Sequence, residues 1–270
     1  MISIFSLILS SALAAPNDAA TEPDADDNKE AAGARLQFMK ESAAKYDIRL
    51  NGEKKSKLNL VAEPVLRWNN PVSSVPDGSL FIWCGPDGRP ELAAQVFIAA
   101  GTKDLWLHEF QSLSLDTFTV SRGGAAQWNP KKPGMELAPI EGAPPPAETA
   151  VQRLSQMRKI AADFEAADDF EGASRWELRL LPKPLKRYGN PDTELLDGAL
   201  FAFVHGTDPE VFLMLEARGA PEKRRWHYGL APMTAYALKV SYKDRPIWST
   251  KWRKPPFDPD EPFYILQYAP

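Results

Sequence analysis

A chain of 270 residues, 44% hydrophobic and 10% aromatic, is long enough and apolar enough to bury a sizeable core. Its net charge of −4 excludes the basic surplus that draws nucleic acid or an anionic membrane surface. The single cysteine, Cys84, excludes an intramolecular disulfide, and 25 prolines argue against an all-helical fold.

In chain order, the first feature is a short apolar run from Ile2 to Leu9, followed by Ala12-Leu13-Ala14, with small residues at the A-x-A positions. This pattern predicts a secretory signal peptide over residues 1–14 and an exported mature chain, in the periplasm or outside the cell. No later stretch holds about 18 uninterrupted apolar residues, so no transmembrane helix is expected. Residues 15–34 are acidic and small, too poor in apolar groups to offset their ordering entropy, and read as a disordered linker.

Downstream the chain resembles itself. Slid by 120 residues, Leu58–Cys84 meets Leu178–Val204 with ten of 27 positions identical, among them Pro64/Pro184, Arg67/Arg187, Asn70/Asn190, Asp77/Asp197 and Gly78/Gly198. Trp106/Trp226 and Trp128/Trp248 fall at the same offset. A shift of 118 aligns Leu36, Met39, Ala43 and Tyr46 with Leu154, Met157, Ala161 and Phe164, both sets spaced as one apolar helical stripe. Gly172 can end the second helix. Asp-Gly at 77–78 and 197–198 reads as turn chemistry before the apolar runs Ser79–Cys84 and Ala199–Val204. Turns at Gly85–Gly88 and His205–Pro209 then lead into Leu92–Ala99 and Val211–Ala217, two hairpins. Leu105–Phe110, Thr117–Ser121, Arg225–Leu230, Ala237–Ser241 and Phe263–Tyr268 are further strand candidates. The fold class expected is α+β: two tandem repeats, each an N-terminal helix followed by a mostly antiparallel sheet. The first unit spans 35–133, a Pro-rich linker 134–146, the second unit 147–253 and a tail 254–270. Whether the units form one pseudo-twofold domain or two stays open.

The duplication sorts the conspicuous residues. Tryptophans at matched positions read as core. Cys84, matched by Val204, reads as a small buried hydrophobe rather than a reactive thiol. The three histidines are unmatched: His108 meets Tyr228, His227 meets Leu107 and His205 meets Gly85. His108, Glu109 and Gln111 are the candidate catalytic residues, although neighbours on a strand point to opposite faces and position 112 is Ser, so no H-E-x-x-H exists. The reading expected for His108 is a hydrogen-bonded surface or strand-end position, with the catalytic role as the alternative. The acidic run Asp163–Asp169 lacks EF-hand spacing and reads as a solvated helix end. No metal ligand set and no cofactor is expected.

The segments Trp176–Leu185, Leu196–Val204, Gly206–Glu210, His108–Leu113 and Trp128–Gly134 resemble recurring blocks of a family of exported proteins from planctomycete bacteria. That resemblance implies export and carries no activity or catalytic residue. Gly78–Pro90 is similar to the first hairpin of flavin-binding split barrels. Three readings follow: a non-catalytic binding or structural module of the cell envelope, with an envelope protein or polysaccharide as partner; a hydrolase or other enzyme with a site near His108 and Glu109; and a split-barrel flavin protein.

Overall fold

The computed structural model describes residues 25–51, 56–71, 73–99, 101–102, 105–170, 174–190 and 193–268. The expected signal peptide, the first half of the expected linker and Gly172 lie outside them. Helix α1 (Ala25–Ala44) is followed by β1 (Tyr46–Leu50), β2 (Asn59–Leu60), β3 (Leu66–Asn70), β4 (Val75–Cys84), β5 (Pro90–Ile98), β6 (Trp106–Ser112), β7 (Phe118–Arg122) and β8 (Ala125–Trp128). The short strand β9 (Ala138–Pro139) precedes α2 (Ala150–Ala162). Then come β10 (Phe164–Phe170), β11 (Ser174–Leu180), β12 (Lys186–Tyr188), β13 (Leu195–His205), β14 (Asp208–Arg218), β15 (Arg225–Pro232), β16 (Ala237–Tyr242), β17 (Arg245–Thr250) and finally β18 (Phe263–Tyr268).

The protein is thus β-rich, with two α-helices and three antiparallel sheets among the described residues. The largest sheet runs β17-β16-β10-β11-β13-β14-β15-β9, with β12 also on β13. The others run β18-β6-β5-β4-β2, with β3 on β4, and β1-β7-β8. Backbone bonds from Leu58 N to Ile48 O and from Leu50 N to Ser56 O tie these last two together.

Each helix sits in the hollow of a curled sheet. Met157, Ile160 and Ala161 of α2 share a core with Ala166 of β10, Phe201 and Phe203 of β13, Leu213 of β14 and Val240 of β16. Strands from both wings reach one helix, so the sheet wraps it as a half-barrel. Met39 and Ala43 of α1 make the corresponding core with Ile48, Phe81, Trp83, Phe110 and Val120.

The convex faces then pack on each other. Leu80, Ile82, Cys84 and Ala93 meet Leu200, Ala202, Val204, Phe212 and Met214 in a third core, the seam between the sheets. This explains why β4 and β13 are continuous apolar runs. Alternate side chains serve the helix core and the seam, so both faces lose water. Burying a Leu or Phe side chain stabilises by roughly 1.5–3 kcal/mol, which makes these doubly buried strands the main source of cohesion.

Three expectations change. Helix α1 starts at Ala25, inside the stretch read as linker; an Ala-rich segment with acids at its N-terminus has high helix propensity. Helix α2, capped by Thr149 accepting from Gln152 N, ends at Ala162, so the acidic run after it is strand β10 and not a solvated helix end. Within it Asp168 is only 1% exposed.

The Asp-Gly pairs lie inside β4 and β13 rather than in turns. There the glycine makes room for an aromatic ring: a Cβ on Gly78 would fall 2.5 Å from the Trp68 ring, and one on Gly198 2.6 Å from Tyr188. The aspartate beside it takes two arginines. Arg67 holds Asp77 through two bonds of 2.8 and 2.6 Å, and Arg35 of α1 adds a third at 2.8 Å. Arg187 and Arg153 do the same for Asp197, with Arg153 Nε 2.7 Å from Oδ2. Burial raises the Asp77 pKa, but the two arginines outweigh it and keep the carboxyl below its ordinary range.

Candidate functional site

The two ends of the seam differ in charge. At one end Arg89, buried with 4% of its side chain exposed, reaches Glu216 at 2.8 Å and Glu91 at 3.2 Å. It also donates to Leu113 O at 3.1 Å, while Tyr188 Oη donates to Glu216 at 2.9 Å. Burial lowers the Arg89 pKa, yet the charges of Glu216 and Glu91 reverse this and hold it above the ordinary value. This end supplies its own cation.

The other end is built from carboxyls and one histidine. His205 ends β13 and Asp208 begins β14, joined by a two-residue turn in which Gly206 takes φ +63°. Asp208 and Glu210 are two residues apart and share the seam face of β14. Asp168 comes from β10, with Oδ2 3.1 Å from His205 Nδ1, and the exposed Trp176 lays its ring 4.8 Å from that imidazole. One ligand atom each from Asp168, His205 and Glu210 lies within 4.8 Å of the others. Opposite them β6 presents Glu109, β3 presents Asn70 and β5 presents Gln95. Asn70 Nδ2 donates to Asp208 at 3.1 Å, and Gln95 Nε2 donates to Pro209 O at 3.0 Å.

None of Glu109, Asp208 and Glu210 is in an ion pair among the described residues. Burial and the Asp208 charge push Glu109 well above the carboxylate range, although Arg253 pulls the other way. Burial pushes Asp208 up to about 7 against the hydrogen bonds from Asn70 and Gln95. Glu210 is raised well above its ordinary value by burial and then by the charges of Asp208 and Asp168. Its Oε2 is buried with no hydrogen-bond partner.

A cleft of about 230 Å³ opens onto these groups. Glu109, Asp208 and Glu210 line its polar side, and Trp68, Phe97 and Leu107 are among its apolar walls.

The sequence candidates divide. Glu109 faces the cleft. Gln111 is buried on the same face of β6 and donates to Ser112 O at 2.7 Å. His108 faces the other way, into the α1 core, fully buried and not at the surface or a strand end. Its Nδ1 is 2.6 Å from Tyr46 Oη and its ring 4.7 Å from Tyr268. Burial, and then the Arg122 charge, push it down to about 3, so it is a neutral core histidine. His227 is half-buried, with Nδ1 3.2 Å from Arg225 O. Sequence reasoning missed Asp168, His205, Asp208 and Glu210 as a group. The one signal was the close run His205–Glu210; Asp168 lies 37 residues upstream of His205.

No helix among the described residues is long and apolar enough to cross a membrane. No family model, curated protein or solved structure matches the chain.

Proposed function

We propose that this is an exported, non-catalytic binding module of the cell envelope, built from a duplicated unit, whose ligand site is the cleft at the acidic end of the seam. Several features support the duplication. Eight strands follow each helix in the same order, and the edges β6 and β15 are each covered by a strand from outside the unit, β18 and β9. Phe81 pairs with Ala94 as Phe201 pairs with Leu213, and both hairpins slip register at the same place, Trp83/Cys84 and Phe203/Val204. The Arg–Asp–Arg triads and the glycines under Trp68 and Tyr188 recur likewise.

On this alignment Glu91 corresponds to Glu210, Arg89 to Asp208, Gly85 to His205 and Leu50 to Asp168. The seam end with an internal cation is scaffold. The end where the cation is replaced by an acid, and where unmatched residues gather, is free to serve a ligand. The observation that carries the reading is the cleft itself: an apolar pocket lined on one side by three carboxyls, Glu109 and Glu210 buried and Asp208 half-buried. Its size fits one sugar residue or one large side chain of an envelope protein or polysaccharide. The reading of a hydrolase around His108 and Glu109 gains no support, since the two side chains lie on opposite faces of β6. A flavin would bring its phosphate to an acidic floor. Export and kinship with the planctomycete family rest on the N-terminal pattern and the blocks quoted above.

Trp68 lines the cleft, so its fluorescence reports occupancy. Titration with envelope polysaccharide fragments and with envelope-protein peptides is expected to give a saturable change with one class, lost in Leu107→Trp, which fills the cleft. No saturable response to either class would refute the proposal.

A further inference from the structure

We infer that Asp168, His205 and Glu210 form a binding site for one divalent transition-metal ion, zinc being the ion their donor set fits best. The inference goes beyond the binding reading. Asp168 and His205 do not line the apolar cleft, and the site needs a cation rather than an organic ligand.

The donor set is one imidazole and two carboxylates, a combination zinc accepts at about 2.0–2.2 Å per bond. Two ligands of a tetrahedral zinc stand about 3.3 Å apart by that geometry. Asp168 Oδ2 and His205 Nδ1 are 3.1 Å apart, already at that spacing. The full set lies within 4.8 Å, so closing the third side requires a carboxylate shift of about 1.5 Å, within reach of a Glu χ3 rotation. Each donor stands on a different strand, β10, β13 and β14, which fixes the backbone of the site.

The second observation is independent of the clustering. Glu210 is 3% exposed, and its Oε2 has no hydrogen-bond partner. A buried carboxylate oxygen left so costs free energy unless something bonds it. The opposite end of the seam shows how the same fold meets the same need. There the corresponding Glu91 lies 3.2 Å from the Arg89 guanidinium. Position 208 carries Asp instead of Arg, which removes the built-in cation and adds a further carboxyl. An external cation restores the balance that Arg89 provides at the other end. Gly206 and Thr207, next to His205 in the β13–β14 turn, are exposed, which gives an ion a route in apart from the cleft. Trp176, its ring tilted by 34° and 4.8 Å from that of His205, packs against the imidazole. Three protein ligands leave a coordination position for water or for a donor atom entering from the cleft.

The test is equilibrium dialysis of the EDTA-stripped full chain against zinc ion alone, with metal counted by mass spectrometry. One zinc per chain is expected. Asp168→Asn and His205→Gln are expected to weaken it about 100-fold or more, and Glu91→Gln to leave it unchanged. Leu107→Trp blocks the cleft ligand but keeps the zinc, so failure of the binding reading and failure of this one are separable. Should the ligand variants lose their circular dichroism, cobalt loading of the wild-type chain decides: visible ligand-field bands of a low-coordinate, nitrogen-bound ion are expected. No stoichiometric zinc, zinc retained by both folded variants, or a cobalt spectrum like that of the free aqueous ion would overturn the inference.

Discussion

Replacing Arg89 by Met tests how the seam is held. The guanidinium bonds Glu216 at 2.8 Å and Glu91 at 3.2 Å, and donates to Leu113 O at 3.1 Å and Pro90 O at 3.3 Å. Methionine keeps much of the volume and removes the charge. Glu216, with 0% of its side chain exposed, keeps Arg218 at 2.7 Å, whereas Glu91 keeps no cation among the described residues. Breaking one side of a buried pair costs about 3–5 kcal/mol, and the surviving Arg218 contact puts this case near the lower figure, about 3 kcal/mol. Urea unfolding at neutral pH, followed by circular dichroism, should show that loss as a lower midpoint at unchanged slope. Adding Glu91→Gln should recover about 1 kcal/mol or more, because it removes the charge left without its cation. A single-mutant loss under about 1 kcal/mol, or a double mutant no better than the single, would refute the view that Arg89 neutralises this end of the seam.

His108, pushed down to about 3 by burial, contributes stability that is complete above the unfolded value near 6.5 and is lost as pH falls from there toward 3. His108→Phe should flatten that limb of the stability–pH curve, measured by urea unfolding at several pH values. The Cys84 thiol, pushed up to about 11 by burial, should not react with a disulfide reagent at pH 8 in the native chain and should react at once in urea. Its contribution to stability is present below about pH 9 and falls as pH rises toward 11. Gly78→Ala and Gly198→Ala each drive a methyl into an aromatic ring and should each lower stability by about 1–3 kcal/mol; near-neutral substitutions would show that the rings do not pack on those glycines.

What the sequence made legible, and what it hid, follows from the range of the forces. Strand pairs such as β4–β5 and β13–β14 announce themselves because apolar runs and their turns are local. The aromatic and apolar repeat at Trp83 and Phe203 or at Trp106 and Trp226 marks positions that stay dry. The Asp-Gly pairs mislead because the same two residues that suit a turn also suit a strand where a ring lies over the glycine and two arginines reach the aspartate. Neither Trp68 nor Arg35 is near enough in sequence to reveal it. Within the candidate site, Glu109 was visible as an acid on a strand, but His108 drew attention for a charge that burial removes. Asp168 looked like solvated helix end because helix periodicity precedes it. Its burial depends on β10 pairing with both β16 and β11, which no local pattern encodes. The contrast between Arg89 and Asp208 appears only once the two hairpins are set in register.

The same contrast sets where a metal ion binds. The direct measurement is an anomalous difference map at the zinc edge from crystals of the full chain grown with zinc ion. One strong peak is expected within bonding distance of Asp168, His205 and Glu210, and none beside Glu91 and Glu216. A map with no peak at that end, or with density only at surface residues such as His227, would contradict that expectation.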